Sequence, residues 1–471
     1  MEAKTLENLV KQLVMEKLTE SLETKRESIV KSIGSVSGVF DTVDEAVAAA
    51  VRAQTEYSGK TLACRRKVVE AIRTGLTPYI EDMAMRAFEE TGMGNVNDKI
   101  QKNRLAINQT PGVEDLVTDV ATGDNGMTLY ELSPYGVIGA VAPSTNPSET
   151  VICNTIGMLA AGNAVFFSPH PGAKKISLWL IDRLNTIVRE ACGIDNLVVT
   201  VANPSIEAAQ EMMNHPKIAL LVVTGGPGVV SQAMRSGKKV IGAGAGNPPS
   251  IVDETANIEK AASDIVDGAS FDHNILCIAE KNVVAVDSIA DYLIFNMEKV
   301  GALLVRDPED VSKLEKVAVT PEGHTNKQLV GKSPSEILDA AGITCEFDPR
   351  LIIVETDKNH PFAVIELLMP IVPIVRVADF ETGLETALEL EQGLHHTATM
   401  HSQNITRLNK AARQLQTSIF VKNGPSFAGL GFRGEGSTTF TIATPTGEGT
   451  TTSRHFAKRR RCVLTDGFSI R

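Results

Sequence analysis

Four apolar runs decide the fold: Val137-Ile138-Gly139-Ala140-Val141-Ala142, Ala164-Val165-Phe166-Phe167, Leu197-Val198-Val199-Thr200-Val201 and Ile218-Ala219-Leu220-Leu221-Val222-Val223. Each has the length of a strand buried on both faces, where no polar alternation is needed. Between them lie helical patterns at Ser148 to Ala161, Ala173 to Ala191 and Ser205 to Met213. Strand alternating with helix predicts an α/β chain built on a parallel, doubly wound sheet. Directly after the last run, Thr224-Gly225-Gly226-Pro227-Gly228 joins strand to helix. Such a turn lets backbone amides and a helix N-terminus approach a phosphate, but it is not GxGxxG and does not establish a dinucleotide site alone.

Toward the N-terminus, helices are predicted at Val43 to Gln54, Ala63 to Thr74 and Tyr79 to Glu90, stopping at Thr91-Gly92-Met93-Gly94. A strand is predicted from Met127 to Leu132. In the other direction, Gly242-Ala243-Gly244-Ala245-Gly246 is a small-residue run of the kind tolerated where backbone passes close to a ligand. A helix from Asn257 to Ala269, strands at Val283 to Val286 and Ile371 to Val377, and a helix at Leu384 to Leu390 extend the pattern. At the extreme N-terminus, Leu6, Leu9, Val10, Leu13, Val14 and Leu18 recur at helical spacing. That amphipathic helix either packs on its own domain or docks in another protein's groove. The polar stretch Thr19 to Ser37 reads as a linker.

A chain of 471 residues exceeds one ordinary core, so more than one domain is expected. The net charge of −11 argues against a nucleic-acid binder, which wants a basic stripe. No apolar run approaches the ~20 residues of a membrane span. Cys64, Cys153, Cys192, Cys277, Cys345 and Cys462 are scattered, with no CxxC pair, which predicts free thiols in a reducing intracellular setting and no metal site.

One of these thiols has a distinctive setting. Residues 268 to 281 read Gly-Ala-Ser-Phe-Asp-His-Asn-Ile-Leu-Cys-Ile-Ala-Glu-Lys, which puts Cys277 between a small polar turn and a strand. A nucleophile needs such a fixed backbone and partial exposure, although a lone Cys also serves as a small buried hydrophobe.

Taken in order, these segments resemble the aldehyde dehydrogenase superfamily, and within it the coenzyme A-acylating enzymes of bacterial microcompartments. The residues carrying the likeness are Ala142-Pro143-Ser144-Thr145-Asn146-Pro147, Gly162-Asn163-Ala164-Val165, Thr224 to Gly228, the run at 242 to 246, His273-Asn274-x-x-Cys277, and Glu366-Leu367-Leu368-Met369-Pro370. The resemblance implies that Cys277 is the nucleophile toward an aldehyde and that Asn146, with the Cys277 backbone N–H, stabilises the oxyanion. It further implies that Ser144, Thr145, Ser168, Pro169, Thr224, Gly225, Gly226, Gly228, Gly244 and Glu366 hold NAD, with Glu366 on the nicotinamide ribose. Relatives that hydrolyse the thioester carry a Glu in the small-residue run; here the aligned position is near Ala243. With no base there, water is a poor attacker, and coenzyme A becomes the expected acyl acceptor.

The adenine end reads Ser168-Pro169-His170-Pro171 with no acidic residue close behind, which leaves NADP open beside NAD. His273 either favours the Cys277 thiolate or shapes the turn. The basic cluster Lys458-Arg459-Arg460-Arg461 reads as a solvated edge rather than a phosphate site. The implied architecture is aldehyde dehydrogenase-like. It has a docking helix (1–20) for a shell protein, a Rossmann-like cofactor domain (25–252, interrupted by a β flap at 118–133), an α/β catalytic domain (253–443) and a C-terminal oligomerisation segment (444–471). The expected product is an acyl-CoA from propionaldehyde or acetaldehyde, made by a homo-oligomeric, dimeric or tetrameric enzyme. The rival readings are a hydrolytic enzyme making a free acid, a catalytically silent shell-docking component and a generic nucleotide-binding protein.

Overall fold

The computed structural model describes residues 37–468, so the expected docking helix at 1–20 lies outside the described residues. Three sheets organise the chain. The first is parallel, in the order β1-β6-β5-β4-β7-β8, formed by β1 (Val39–Phe40), β4 (Val137–Ala142), β5 (Ala164–Pro169), β6 (Val198–Val201), β7 (Ile218–Thr224) and β8 (Val240–Ala243). β4 and β5 are in register from Val137 opposite Ala164 to Ala142 opposite Pro169. The strand order reverses beside β4: β5 and β6 lie on one side, β7 and β8 on the other. The crevice outside the carboxyl ends at such a reversal is where doubly wound sheets bind ligands.

Helices cover this sheet: α1 (Val43–Ser58), α2 (Leu62–Leu76), α3 (Ile80–Thr91), α4 (Val96–Gln109), α5 (Pro147–Ala160), α6 (Lys174–Cys192), α7 (Ile206–Asn214) and α8 (Pro227–Met234). Their boundaries follow local chemistry. Thr42 and Glu45 form a capping box on α1, Gly92 ends α3 at φ +63, and Pro147 opens α5 where no N–H is required. Every residue of α5 is buried, which makes it the central helix against the first sheet.

The second sheet is also parallel, in the order β11-β12-β13-β10-β9-β14-β15. Its strands are β9 (Pro249–Val252), β10 (Asn282–Val286), β11 (Ala302–Val305), β12 (Leu351–Glu355), β13 (Ile371–Val377), β14 (Thr397–His401) and β15 (Ile419–Lys422). Only residues 244–248 separate β8 from β9. The chain therefore leaves the carboxyl edge of the first sheet and enters the amino edge of the second almost at once, so the two edges face each other. α9 (Ile258–Ser270) precedes the Cys277 turn, which stands at the amino end of β10.

The third sheet is antiparallel and joins β2 (Asp119–Gly123), β3 (Gly126–Pro134) and a late strand at Ala457–Thr465. The basic cluster at 458–461 lies exposed along that strand, where the Arg459 guanidinium stacks 3.9 Å from the Tyr130 ring and reaches Asp119 at 3.3 Å. Among the described residues no helix is long and apolar enough to cross a membrane.

The sequence reading assigned no element between Gly94 and Pro111, yet α4 fills it. Its sequence is polar, so it lacks the apolar stripe that marks a buried helix; instead it buries Lys99, Lys102 and Asn103 beside Leu105, Ala106 and Ile107. Similarly, the helix expected at Leu384 to Leu390 spans Phe380–Glu391, because Asp379 caps it earlier by accepting from Thr382 N.

Candidate active site

The turn before Cys277 is shaped by three successive non-glycine residues in left-handed backbone: Asp272 at φ 47°, His273 at 53° and Asn274 at 63°. An L-residue pays for this conformation, roughly 1–2 kcal/mol each, and Asn and Asp tolerate it best. Specific bonds hold the turn. Asp272 Oδ1 accepts from Asn95 N at 2.8 Å, and Oδ2 receives Lys99 Nζ at 3.1 Å and Lys102 Nζ at 2.5 Å. The Asp272 N–H donates to Asp98 Oδ2 at 2.8 Å. Asn274 Nδ2 donates to the carbonyls of Ala269 and Glu280 at 2.7 and 3.1 Å. Lys281 Nζ gathers the carbonyls of Asn274 and Leu276 at 2.8 and 3.1 Å, and Glu280 accepts both Ser426 N and Ser426 Oγ at 2.7 Å. His273 Nδ1 lies 3.1 Å from Gly331 O, so that ring is engaged in shaping the turn.

Cys277 is partly exposed between the buried side chains of Leu276 and Ile278. Three other strand entries of the second sheet meet it. Gly246, ahead of β9, packs so closely that a Cβ there would stand 3.0 Å from Cys277 O and 2.8 Å from His396 Cγ. Glu366, ahead of β13, accepts from Gly246 N at 3.3 Å. His396, ahead of β14, is buried with Nδ1 on Thr397 Oγ1 at 2.9 Å and Nε2 without a partner. Burial pushes the Cys277 thiol up to about 12; the Glu366 carboxylate adds to this and Lys281 opposes it. Burial likewise lifts Glu366 to about 7 against Lys281, lowers Lys281 to about 8 and lowers His396 to about 4.

Asn146 follows β4 and precedes Pro147. It occupies the N-cap position of α5, yet its side chain makes no cap bond. Instead Oδ1 accepts from Lys102 Nζ at 2.7 Å, and Nδ2 reaches Thr145 Oγ1 at 3.3 Å. The residues expected to hold a nucleotide gather at the carboxyl edge of the first sheet: Ser144 and Thr145 after β4, Ser168 and Pro169 closing β5, and Thr224, Gly225, Gly226 and Gly228 where β7 turns into α8. Thr224 Oγ1 is 2.8 Å from Thr441 Oγ1. Gly226 and Gly228 have open space where a Cβ would stand, which leaves the amides at the start of α8 approachable by a pyrophosphate. At Gly244 a Cβ would instead stand 3.0 Å from Pro445 Cγ. Ala243 is buried at the end of β8 and brings no carboxylate, so Glu366 is the acid that faces Cys277 from the second sheet.

Sequence reasoning missed Lys99, Lys102, Glu149, Asp272, Lys281 and His396. Charged residues are almost never fully buried unless paired, so isolated lysines in a polar segment read as solvated. The available signal was the pair Lys99 and Lys102 at i, i+3 on one helix face, opposite an Asp two residues upstream of the Asn-x-x-Cys pattern.

The sequence profile of the aldehyde dehydrogenase family matches residues 20–440. The chain is 57% identical over 472 residues to the propanal dehydrogenase (CoA-propanoylating) of Salmonella typhimurium, covering 100% of both. Among solved structures it resembles the Rhodopseudomonas palustris propionaldehyde dehydrogenase with bound CoA and an acylated cysteine, at 51% identity and TM-score 0.91, covering 92% of this chain and 99% of that one. It also resembles a propionaldehyde dehydrogenase from the fucose utilisation microcompartment of Clostridium phytofermentans, at 47% identity and TM-score 0.91, covering 92% and 100%.

Two outcomes test this geometry. Gly94 has φ +70°, and a Cβ there would stand 1.9 Å from Asp272 Oδ1. Gly94→Ala should therefore destabilise the fold by ~2–4 kcal/mol, read from the urea midpoint; an unchanged midpoint would show the turn to be compliant. At fixed pH, Glu366→Gln should speed alkylation of Cys277 by iodoacetamide and Lys281→Met should slow it, since one removes a charge that raises the thiol and the other a charge that lowers it. The opposite order would remove these two groups from control of the sulfur.

Proposed function

The chain belongs to the aldehyde dehydrogenase family, and from that premise we propose how its residues carry the oxidation of a short aliphatic aldehyde to its acyl-CoA. The observation that supports the reading best is the meeting of Cys277, Gly246 and Glu366 at the amino edge of the second sheet, opposite Asn146 and the glycine turn of the first.

The aldehyde enters beside α4. A cleft of about 460 Å³, with Asp98, Asp267, Arg350 and Arg433 at its rim, shares Gln101, Phe271, Phe427 and Phe432 with a cavity of only about 10 Å³. That inner space is closed by Lys102, Leu276 and Phe440. The Cys277 sulfur adds to the carbonyl carbon, a C–S bond forms, and the carbonyl pair moves to oxygen. Asn146 Nδ2 and the Cys277 backbone N–H hold that oxyanion. NAD, when bound, supplies the hydride acceptor, and the residues at the start of α8 and the end of β5 hold it. Collapse of the tetrahedral centre leaves a thioester on Cys277. The thiol of coenzyme A then attacks this carbonyl, the bond to Cys277 breaks, and acyl-CoA departs.

Water loses the competition because the position near Ala243 carries no base, whereas a thiol ionises far more readily than water. Glu366, whose carboxyl burial raises to about 7, holds the nicotinamide ribose by family resemblance. The amphipathic residues 1–20 dock on a microcompartment shell protein, and the antiparallel sheet of β2, β3 and residues 457–465 joins subunits. A 47% identical structure from a microcompartment supports residence in such a compartment, the amphipathic pattern of residues 1–20 supports docking, and the exposed edge of the sheet supports subunit contact.

NADH formation from propionaldehyde should require coenzyme A, and Cys277→Ala should abolish it. Equal turnover without coenzyme A would favour the hydrolytic reading, and unchanged turnover in Cys277→Ala would remove that residue from the chemistry. Deleting residues 1–20 should leave turnover intact while preventing co-sedimentation with assembled shells; loss of turnover would refute the docking role.

A further inference from the structure

Lys102 is fully buried and takes part in three polar contacts that belong to three different pieces of the site. Its Nζ lies 2.7 Å from Asn146 Oδ1 on the cofactor side, 2.5 Å from Asp272 Oδ2 in the Cys277 turn, and 3.2 Å from Glu149 Oε1 on α5. Lys99 Nζ, one turn earlier on α4, pairs with the same Asp272 oxygen at 3.1 Å. All four charged side chains are at least 98% buried, and two ammoniums against two carboxylates make the cluster neutral when all are ionised. Burial alone would lower Lys102, but Asp272 and Glu149 outweigh it and hold the ammonium above its usual range; Asp272 is correspondingly held low by Lys102 and Lys99. The ammonium has only donors to offer, so the Asn146 atom facing it must be the oxygen.

We propose that Lys102 is the positioning residue of the oxyanion site. By engaging Oδ1 it fixes the flip of the Asn146 amide, leaves Nδ2 as the atom presented to the reacting carbonyl, and ties that donor to the turn that carries Cys277. This rests on the assignment of Asn146 as the oxyanion donor. An asparagine at a helix N-cap would ordinarily spend its side chain on the helix amides, and the missing cap bond is what frees it. A charged partner on the amide oxygen also polarises the amide and strengthens the opposite N–H as a donor. The alternative is that Lys102 only neutralises Asp272 and Glu149, in which case its loss would harm the fold and leave Asn146 unaffected.

The test is a double-mutant cycle in the full-length enzyme. Because Lys102→Met alone strands a buried carboxylate, the working variant is Lys102→Met with Glu149→Gln, which removes one charge of each sign and leaves Lys99 and Asp272 paired. This variant should lower kcat roughly 10²-fold, the scale of losing one oxyanion donor. KM for aldehyde and the rate of Cys277 alkylation should stay unchanged. In an Asn146→Ala background the same pair of changes should lower kcat no further. Equal losses in both backgrounds, or a slowed alkylation, would overturn the positioning role. Full activity of Asn146→Ala alone would instead overturn the oxyanion assignment itself.

Discussion

A single carboxylate, that of Asp272, holds the site together. Its backbone is left-handed, its N–H is claimed by Asp98, and its two oxygens are claimed by Asn95 N and by two buried lysines on α4. Without those lysines a charge in so dry a place would not be tolerated, and without that charge neither lysine could be buried. Breaking such a pair from one side usually costs more than the pair contributes, so the cluster acts as a constraint more than as a source of stability. What it constrains is direction: it fixes where the chain points when it reaches Cys277.

Two sheet edges supply the rest. Strands of the first sheet present their carboxyl ends, which carry Ser144, Thr145 and the glycine turn after β7, and strands of the second present their amino ends, which carry Gly246, Cys277, Glu366 and His396. The passage from β8 to β9 brings these edges face to face with five intervening residues, and α4 closes one side with its ammoniums. Gly246 admits no side chain because His396 and the Cys277 carbonyl already occupy that volume.

How legible this was depended on which force dominated each segment. β4 and β13 were read to the residue, since a strand buried on both faces must be a continuous apolar run. The Gly-rich turn after β7 was legible as a break between a buried apolar strand and a helix opened by Pro227. α4 was hidden because its buried face mixes Lys99, Lys102 and Asn103 with Leu105, Ala106 and Ile107, and the lysines are buried only through partners distant in sequence, Asp272 and Glu149. The left-handed turn at 272–274 was also hidden, because Asp-His-Asn permits that conformation without requiring it. Cys277 and Asn146 stood out through resemblance; the residues that hold them did not, and only the fold brings them together.

The protonation of Cys277 has a further consequence. Burial and the Glu366 carboxylate hold its thiol up, against Lys281, so the resting sulfur favours its protonated form. A protein that works among diffusing aldehydes is surrounded by electrophiles and oxidants, and a permanently ionised sulfur would be spent on the first to arrive. Chemical latency at rest is therefore a form of self-preservation. That latency is written into the two charges beside the sulfur, Glu366 raising the thiol and Lys281 lowering it.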